Sequence, residues 1–366
     1  MDEKIIELLE TELKPCDRDN NNPGNTIGLP ANYADTEETR FLLTPEACGM
    51  LTSSGLRLIM EAGAGVDISF SDAAYSEFGV EITSREDTLK CDVVVSFAPL
   101  NAQDVAKMRR GATLLCMMGD ELFKGDTIKA LLDNDITLGC LDNMYSLNNE
   151  TVFADIINEI DGRAAIMYAQ EHLSFLGGGK GVLLAGVAGI NPCEVLLIGR
   201  GTDIYAAASA AISAGALVTL INNDISDLAY AQRICGPQLI TLAVHPRVLY
   251  NKAKSADVLI IGETTRPFTF PNKLNRIMKD TAFMLNFKNS HPSVSVPRTV
   301  AMALSNVLIN FMQEMIVKDG FESMLISTDG VQSGIVTYRG CLCDKLIGSY
   351  LGLPSVDIKM MLAAKN

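Results

Sequence analysis

Two glycines one residue apart, Gly199-Arg-Gly201, fall between an apolar run, Glu194 to Ile198, and an alanine-rich segment, Tyr205 to Ala214. A strand that turns through such glycines into a helix is built to cradle a pyrophosphate. The first glycine makes the turn, the second lets the phosphate approach the backbone, and a third lets the helix pack on the strand. Here the third position holds Ile204, whose branched side chain is expected to push the helix outward or shift its register. Arg200 offers a cation to a phosphate. The following strand, Leu217 to Ile221, leads into Asn222 where Asp or Glu would hold the ribose. An amide keeps a hydrogen bond, loses the charge-assisted part and no longer repels a 2′-phosphate. Gly199, Arg200, Gly201 and Asn222 are therefore the cofactor-binding candidates. They point to a weakened NAD(H)-type site, or to a Rossmann fold kept for its packing alone.

Other motifs are weaker. Gly177-Gly-Gly-Lys180-Gly181 reads as a flexible loop and lacks the spacing of a phosphate-binding Walker sequence. The nine cysteines are scattered, and only Cys341 and Cys343 lie close together. No metal spacing emerges, so reduced, mostly buried thiols and no metal are expected. His172 falls in a helical run and reads as structural.

The elements that must position these residues alternate. Helices are expected at Pro45 to Ser54, Asp72 to Phe78, Val105 to Arg110 and Asp126 to Asp133. Strands are expected at Leu56 to Glu61, Asp92 to Phe97, Thr113 to Met118 and Ile136 to Leu141. A long helix spans 151–176, and strands at Glu194 to Ile198, Leu217 to Ile221, Leu239 to Val244, Asp257 to Ile261 and Ala282 to Phe287 follow. Another long helix runs from Thr299 to Val317, with two further helical segments around Gly340. Residues 1–30 read as a terminal helix and a polar loop. Strands alternating with helices imply an α/β fold of two Rossmann-like domains with parallel sheets. At 366 residues and 48% hydrophobic content, two domains are expected. A net charge of −14 disfavours nucleic acid and anionic membranes as partners. The acidic start lacks a signal-peptide pattern, and the apolar stretch Gly181 to Gly199 is broken by Asn191, Pro192 and Glu194, so a cytoplasmic protein is expected.

Several blocks together resemble the family of alanine dehydrogenase and the alpha subunit of NAD(P) transhydrogenase. They are Thr36-Glu-Glu-Thr-Arg40-Phe-Leu-Leu-Thr-Pro45, Glu61-Ala-Gly-Ala-Gly65 with Phe70-Ser-Asp72, Gly162-Arg163, and Gly177 through Gly189. Ser295-Val-Pro297-Arg-Thr299 and Gly334 through Gly340 complete the set. The resemblance implies a discontinuous substrate domain, 1–153 plus 298–366, and a cofactor domain, 154–297, with the active site in a cleft between them. It implies a dimer or hexamer of identical chains. It also makes Arg40 the residue that binds a small-molecule carboxylate, which a guanidinium clamps in bidentate fashion.

The same resemblance exposes what is missing. The family's catalytic lysine is expected in the stretch now occupied by Ser96, Phe97 and Ala98, and its histidine where Gly119 stands. None of His172, His245 and His291 falls there. Near the lost histidine, Asp120, Glu121 and Lys124 are the candidate substitutes, and Ser290 stands loosely where a family carboxylate is expected, with His291 beside it as a possible proton carrier. Loss of general acid–base help alone typically costs about 10²–10⁴ in rate. The expected function is thus an NAD-dependent L-alanine/pyruvate oxidoreductase by resemblance, with reduced, altered or lost activity. Two alternatives stand beside it: a pseudoenzyme that binds a carboxylate or nucleotide, and, less favoured, a transhydrogenase alpha subunit.

Overall fold

The computed structural model describes residues 26–117, 124–146, 150–264 and 277–363. The terminal helix expected before residue 26 lies outside them. The chain divides into two compact units, Met1–Ala154 with Pro297–Asn366, and Asp155–Val296.

Unit 1 is built on an eight-stranded sheet. Its strands are β1 (Thr26–Leu29), β2 (Arg57–Glu61), β3 (Glu81–Thr83), β4 (Val93–Val95), β5 (Thr113–Cys116), β6 (Thr137–Cys140), β12 (Ile335–Tyr338) and β13 (Cys341–Leu342). The order is β13-β12-β6-β5-β4-β1-β2-β3, parallel from β6 to β3, with β12 antiparallel to β6 and to β13. Val93, Val94 and Val95 are all buried, as a strand covered by helices on both faces requires.

The connecting helices start on capping residues legible in the sequence. Thr44 Oγ1 accepts the Ala47 N–H of α1 (Pro45–Ser53), whose first residue is proline. Ser71, Ser84 and Asn101 cap α2 (Asp72–Glu77), α3 (Arg85–Leu89) and α4 (Ala102–Val105) in the same way. The helix α5 (Gly125–Asp133) and the long α10 (Pro297–Val317) complete the layers with α11 to α14 (Phe321–Ser327, Asp329–Gln332, Lys345–Leu351, Ile358–Ala363). By length and composition α10 is apolar enough to cross a membrane, yet Val300, Leu304, Leu308 and Met312 are core residues of unit 1.

Unit 2 holds a five-stranded, all-parallel sheet in the order β11-β10-β7-β8-β9. The strands are β7 (Glu194–Ile198), β8 (Leu217–Asn222), β9 (Ile240–Ala243), β10 (Val258–Ile261) and β11 (Phe283–Asn286). They alternate with α7 (Thr202–Ser213), α8 (Ile225–Cys235) and α9 (Pro246–Ser255), and the long α6 (Val152–Leu173) leads in. The chain winds outward from β7 in one direction and from β10 in the other. That reversal is the switch point at which doubly wound sheets hold their ligands.

Three expectations are corrected, and a fourth segment gains a defined turn. Thr26–Leu29, read as loop, is a strand paired with both β2 and β4. The helix expected at Val105 to Arg110 covers Ala102–Val105 instead, because Asn101 caps it early. Around Gly340 lies the β12–β13 hairpin rather than helix, with Arg339 and Gly340 both at positive φ (48° and 69°) in its turn. Gly177 through Gly181 folds back to close the end of α6: the Gly179 and Gly181 N–H groups donate to Ser174 and Leu173 carbonyls at 2.9 and 3.0 Å. That turn delivers Lys180 to Asp257, 2.6 Å away at the foot of β10.

One contact sets the spacing of α6 and α7. A Cβ added at Gly162 would collide with the Asp203 carbonyl oxygen and come within 2.8 Å of the Ala206 Cβ. Gly162→Ala is therefore expected to lower the stability of unit 2 by roughly 1–3 kcal/mol, the usual range for overpacking. A urea melt with a falling midpoint checks this; an unchanged midpoint would show that the helices can separate freely.

Candidate functional site

In unit 1 the segment that carries Arg40 is anchored at both ends. Upstream, the Ala31 N–H and Arg85 Nη1 both donate to Glu61 Oε2 at 2.7 Å, and Arg85 Nε donates to Asp104 Oδ2 at 2.8 Å. The Tyr33 hydroxyl donates to the same Asp104 oxygen at 2.8 Å, and burial beside that carboxylate pushes its pKa up to about 12. Downstream, the Thr44 N–H donates to Ser305 Oγ of α10 at 2.9 Å, and the Tyr75 hydroxyl donates to the Leu43 carbonyl at 2.7 Å.

Between these anchors Arg40 is 7% exposed. Glu38, two residues away, grips it by both oxygens. Nε donates to Oε1 at 2.7 Å and Nη2 to Oε2 at 2.6 Å, while the Arg40 backbone N–H donates to Oε1 at 2.9 Å. The guanidinium lies over the Phe97 ring, 4.2 Å from its centroid. Phe97 is itself buried, and it belongs to the stretch in which the resemblance expects a lysine. The fork of donors suited to a substrate carboxylate thus holds a carboxylate of the chain, and an aromatic face covers the guanidinium plane. Of the substitute catalytic candidates, Asp120 and Glu121 lie outside the described residues. Lys124 is exposed at the N-cap of α5.

In unit 2 the glycine loop joins β7 directly to α7. Gly199 and Gly201 sit at φ 121° and 115°, where side chains are strained. The loop is stitched to the end of β10: the Arg200 N–H donates to the Glu263 carbonyl at 2.8 Å, and the Gly262 N–H to the Ile198 carbonyl at 2.9 Å. Ile204, at the third glycine's position, does not displace the helix, which begins at Thr202. It is fully buried, and a Cβ at Gly262 would lie 2.5 Å from its Cγ1, so the space left by Gly262 houses the extra bulk.

The polar groups of the loop are engaged. Arg200 Nη2 lies 3.3 Å from Glu263 Oε1. Asn222, 4% exposed, donates through Nδ2 to Asp227 Oδ2 at 3.1 Å and accepts the Asp224 N–H at 3.2 Å, so a carboxylate stands beside the place where the sequence shows an amide. Asp203 Oδ1 accepts the Ile204 N–H at 2.7 Å. A cleft of about 680 Å³ opens at the strand ends, with Asn158, Arg200, Gly201, Asp203, Glu263 and Lys288 in its wall. Glu38, Phe97, Asp203, Asp227 and Glu263 had no assigned role in the sequence reading. The only local signal was a carboxylate one or two residues from a motif residue, as in Glu38 and Arg40.

The three histidines each have a neighbour within their own unit. His172 packs its ring 5.5 Å from that of Phe283, and His245 caps α9 by accepting the Arg247 N–H at 3.3 Å. His291 Nδ1 lies 3.6 Å from Asp161, whose other oxygen accepts the Ser293 N–H at 2.7 Å. Among the described residues no cluster of three or more metal-ligating side chains occurs, and Cys48, Cys91, Cys116, Cys140, Cys193 and Cys343 are buried free thiols.

Burial pushes the Asp203 carboxyl up to about 6; the Ile204 N–H opposes this, and Asp161 and Glu263 add to it. A carboxyl raised from 3.8 to about 6 stabilises the fold only when protonated. That contribution is whole below about pH 4 and is lost as pH rises through 6. The shift of about two units corresponds to roughly 3 kcal/mol at most. Asp203→Asn is accordingly expected to raise the melting temperature by several degrees at pH 8 and by little at pH 5. Equal shifts at both pH values would show that the carboxyl titrates normally.

Residues 28–154 match the family model described as alanine dehydrogenase/PNT, N-terminal domain, and residues 165–267 match the corresponding C-terminal domain. An alanine dehydrogenase of Mycolicibacterium smegmatis is 26% identical over 92% of this chain and 100% of its own length. That of Bacillus subtilis is 25% identical over 92% of this chain and 97% of its own. Among solved structures, an L-alanine dehydrogenase superposes with a TM-score of 0.79 at 21% identity, covering 89% of this chain and 99% of that one. The transhydrogenase from Sinorhizobium meliloti superposes with a TM-score of 0.72 at 15% identity, covering 87% and 99%.

Proposed function

Because the chain belongs to the alanine dehydrogenase/PNT family, we propose that it is an alanine dehydrogenase scaffold on which the interconversion of alanine and pyruvate is reduced to a trace or lost. The observation that carries this reading is the Glu38–Arg40–Phe97 assembly. A substrate carboxylate must displace a bidentate partner that is already covalently tethered two residues away, at high effective concentration. The stretch that should supply a polarising cation supplies a phenyl ring instead, and a ring neither donates a proton nor stabilises an oxyanion. The general acid–base help is absent at the expected places in the sequence, and these losses all oppose one reaction.

The same reading assigns unit 2 as an NAD(H)-type domain with a weakened site, in a cytoplasmic protein that needs no metal. Self-association is part of it. Phe175, Leu176, Leu183 and Ile190 lie within sixteen residues of one another and are 81%, 97%, 70% and 69% exposed, a concentration of apolar side chains that suits contact with a second copy. Light scattering on the eluting protein should then give a multiple of the monomer mass.

The direct test is NADH consumption with pyruvate and ammonia. Turnover is expected below about 10⁻² s⁻¹, 10²-fold under the slow end of the 1–10³ s⁻¹ of ordinary enzymes. Turnover within that range would refute the proposal and require a replacement acid–base pair. A second measurement isolates the clamp. Glu38→Ala takes the bidentate carboxylate away from a buried guanidinium, which costs about 3–5 kcal/mol. Millimolar pyruvate is expected to restore part of the lost melting temperature in this variant and to leave wild type unchanged. A pyruvate-induced shift in wild type would show that Glu38 yields to substrate.

A further inference from the structure

We propose that Asp203 decides which ligands the glycine loop of unit 2 admits: its carboxylate occupies the notch that a dinucleotide pyrophosphate would enter, and so keeps phosphate-bearing ligands out. The inference rests on the reading of unit 2 as a dinucleotide-type domain and is independent of the Arg40 clamp in unit 1.

Two features make a glycine loop receptive to a pyrophosphate. One is bare backbone at the second glycine, and the other is the unpaired N–H groups of the first helical turn. Asp203 covers the first and takes up one donor of the second. Its Oδ1 would lie 2.6 Å from a Cβ built on Gly201, so the carboxylate sits against the face of Gly201 that the missing side chain leaves open. The same oxygen accepts the Ile204 N–H at 2.7 Å, a donor of the first turn of α7. The helix therefore meets its positive end with an anion of its own.

The loop cannot readily turn away from this arrangement. Ile204 is fully buried opposite Gly262, and the Thr202 hydroxyl donates to Asp155 of α6 at 2.9 Å. Gly162 of the same helix touches the backbone of Asp203, leaving no room behind it. The charge around the notch favours exclusion as well. Asp161 and Glu263 lie close enough to perturb Asp203, and Arg200 is shared between Glu263 and the field of Asp227. A diphosphate brought into this wall adds negative charge where like charge is already concentrated.

The experiment is a calorimetric titration of the full chain with NADH, in wild type, Asp203→Ala and Asp203→Asn. The alanine variant removes both the bulk and the charge, whereas the asparagine variant keeps the bulk and sheds the charge. Wild type is expected to bind NADH no tighter than about millimolar. Asp203→Ala should bind at least about tenfold tighter, with Asp203→Asn between the two. ADP-ribose, which carries the pyrophosphate without the nicotinamide, should follow the same order. Micromolar binding of NADH by wild type overturns the proposal, and so does an alanine variant, folded by its thermal melt, that binds no tighter than wild type. If neither variant binds NADH or ADP-ribose, unit 2 is not a dinucleotide-type site and the underlying reading falls with the proposal. The pyruvate measurements on Glu38→Ala are untouched by any of these results.

Discussion

A charge taken out of water must be met by an opposite charge or by hydrogen-bond donors, or it costs several kcal/mol. Sites that receive anionic ligands leave such donors waiting in the empty state and let the ligand complete the balance. This chain completes the balance itself. In unit 1 the Arg40 fork is closed by Glu38, and in unit 2 the Ile204 N–H in the first turn of α7 is taken by Asp203. Both carboxylates come from within two residues of the donors they satisfy, so little chain entropy opposes them. A buried guanidinium that is already neutralised, as Arg40 is, is more stable empty than a receptive one, whereas Asp203 holds its place against the cost of its own burial. The two units thus share a physical character although they are separate folding bodies.

The supporting structure follows from that character. Arg40 can be 7% exposed because Glu38 accompanies it, and Phe97 can stack on it because the pair is planar and desolvated. In unit 2 a branched residue replaces the third glycine, and the compensation appears across the sheet at Gly262. At the β7–β10 junction Ile204 fills the space that Gly262 leaves, as close packing demands.

Much of this is legible in the sequence. Glu194–Ile198 matches its expected bounds because a fully buried parallel strand is a continuous apolar run. Pro45 after Thr44 announced the start of α1. The family and the α/β class followed from motifs spread along the chain. Elements whose identity depends on partners distant in sequence were hidden. Thr26–Leu29 is four residues of ordinary composition, made a strand by β2 and β4 on either side. The β12–β13 hairpin is equally short and finds its place against β6, about two hundred residues earlier in the chain. At the sites, the motif residues were visible and their partners were not. Asn222 advertises a lost carboxylate, while Asp227, in the first turn of α8, puts one back at 3.1 Å.

The antiparallel β12, with β13 beyond it, lies outside β6 and is made of residues 335–342, whereas the six parallel strands of the unit 1 sheet are finished by residue 140. Between those two stretches the ribosome must make all of unit 2. During that interval β6 is a bare edge with its N–H and C=O groups unpaired, a template for any passing strand. Unit 2, by contrast, has every strand within a single continuous stretch and can close as soon as it emerges. The inserted unit is therefore the earlier one to mature, and the unit that encloses it waits on its own C-terminal segment. Truncation after residue 334 would take Val336, Leu342 and Ile347 out of the unit 1 core and leave β6 as an exposed edge in the first half of the chain.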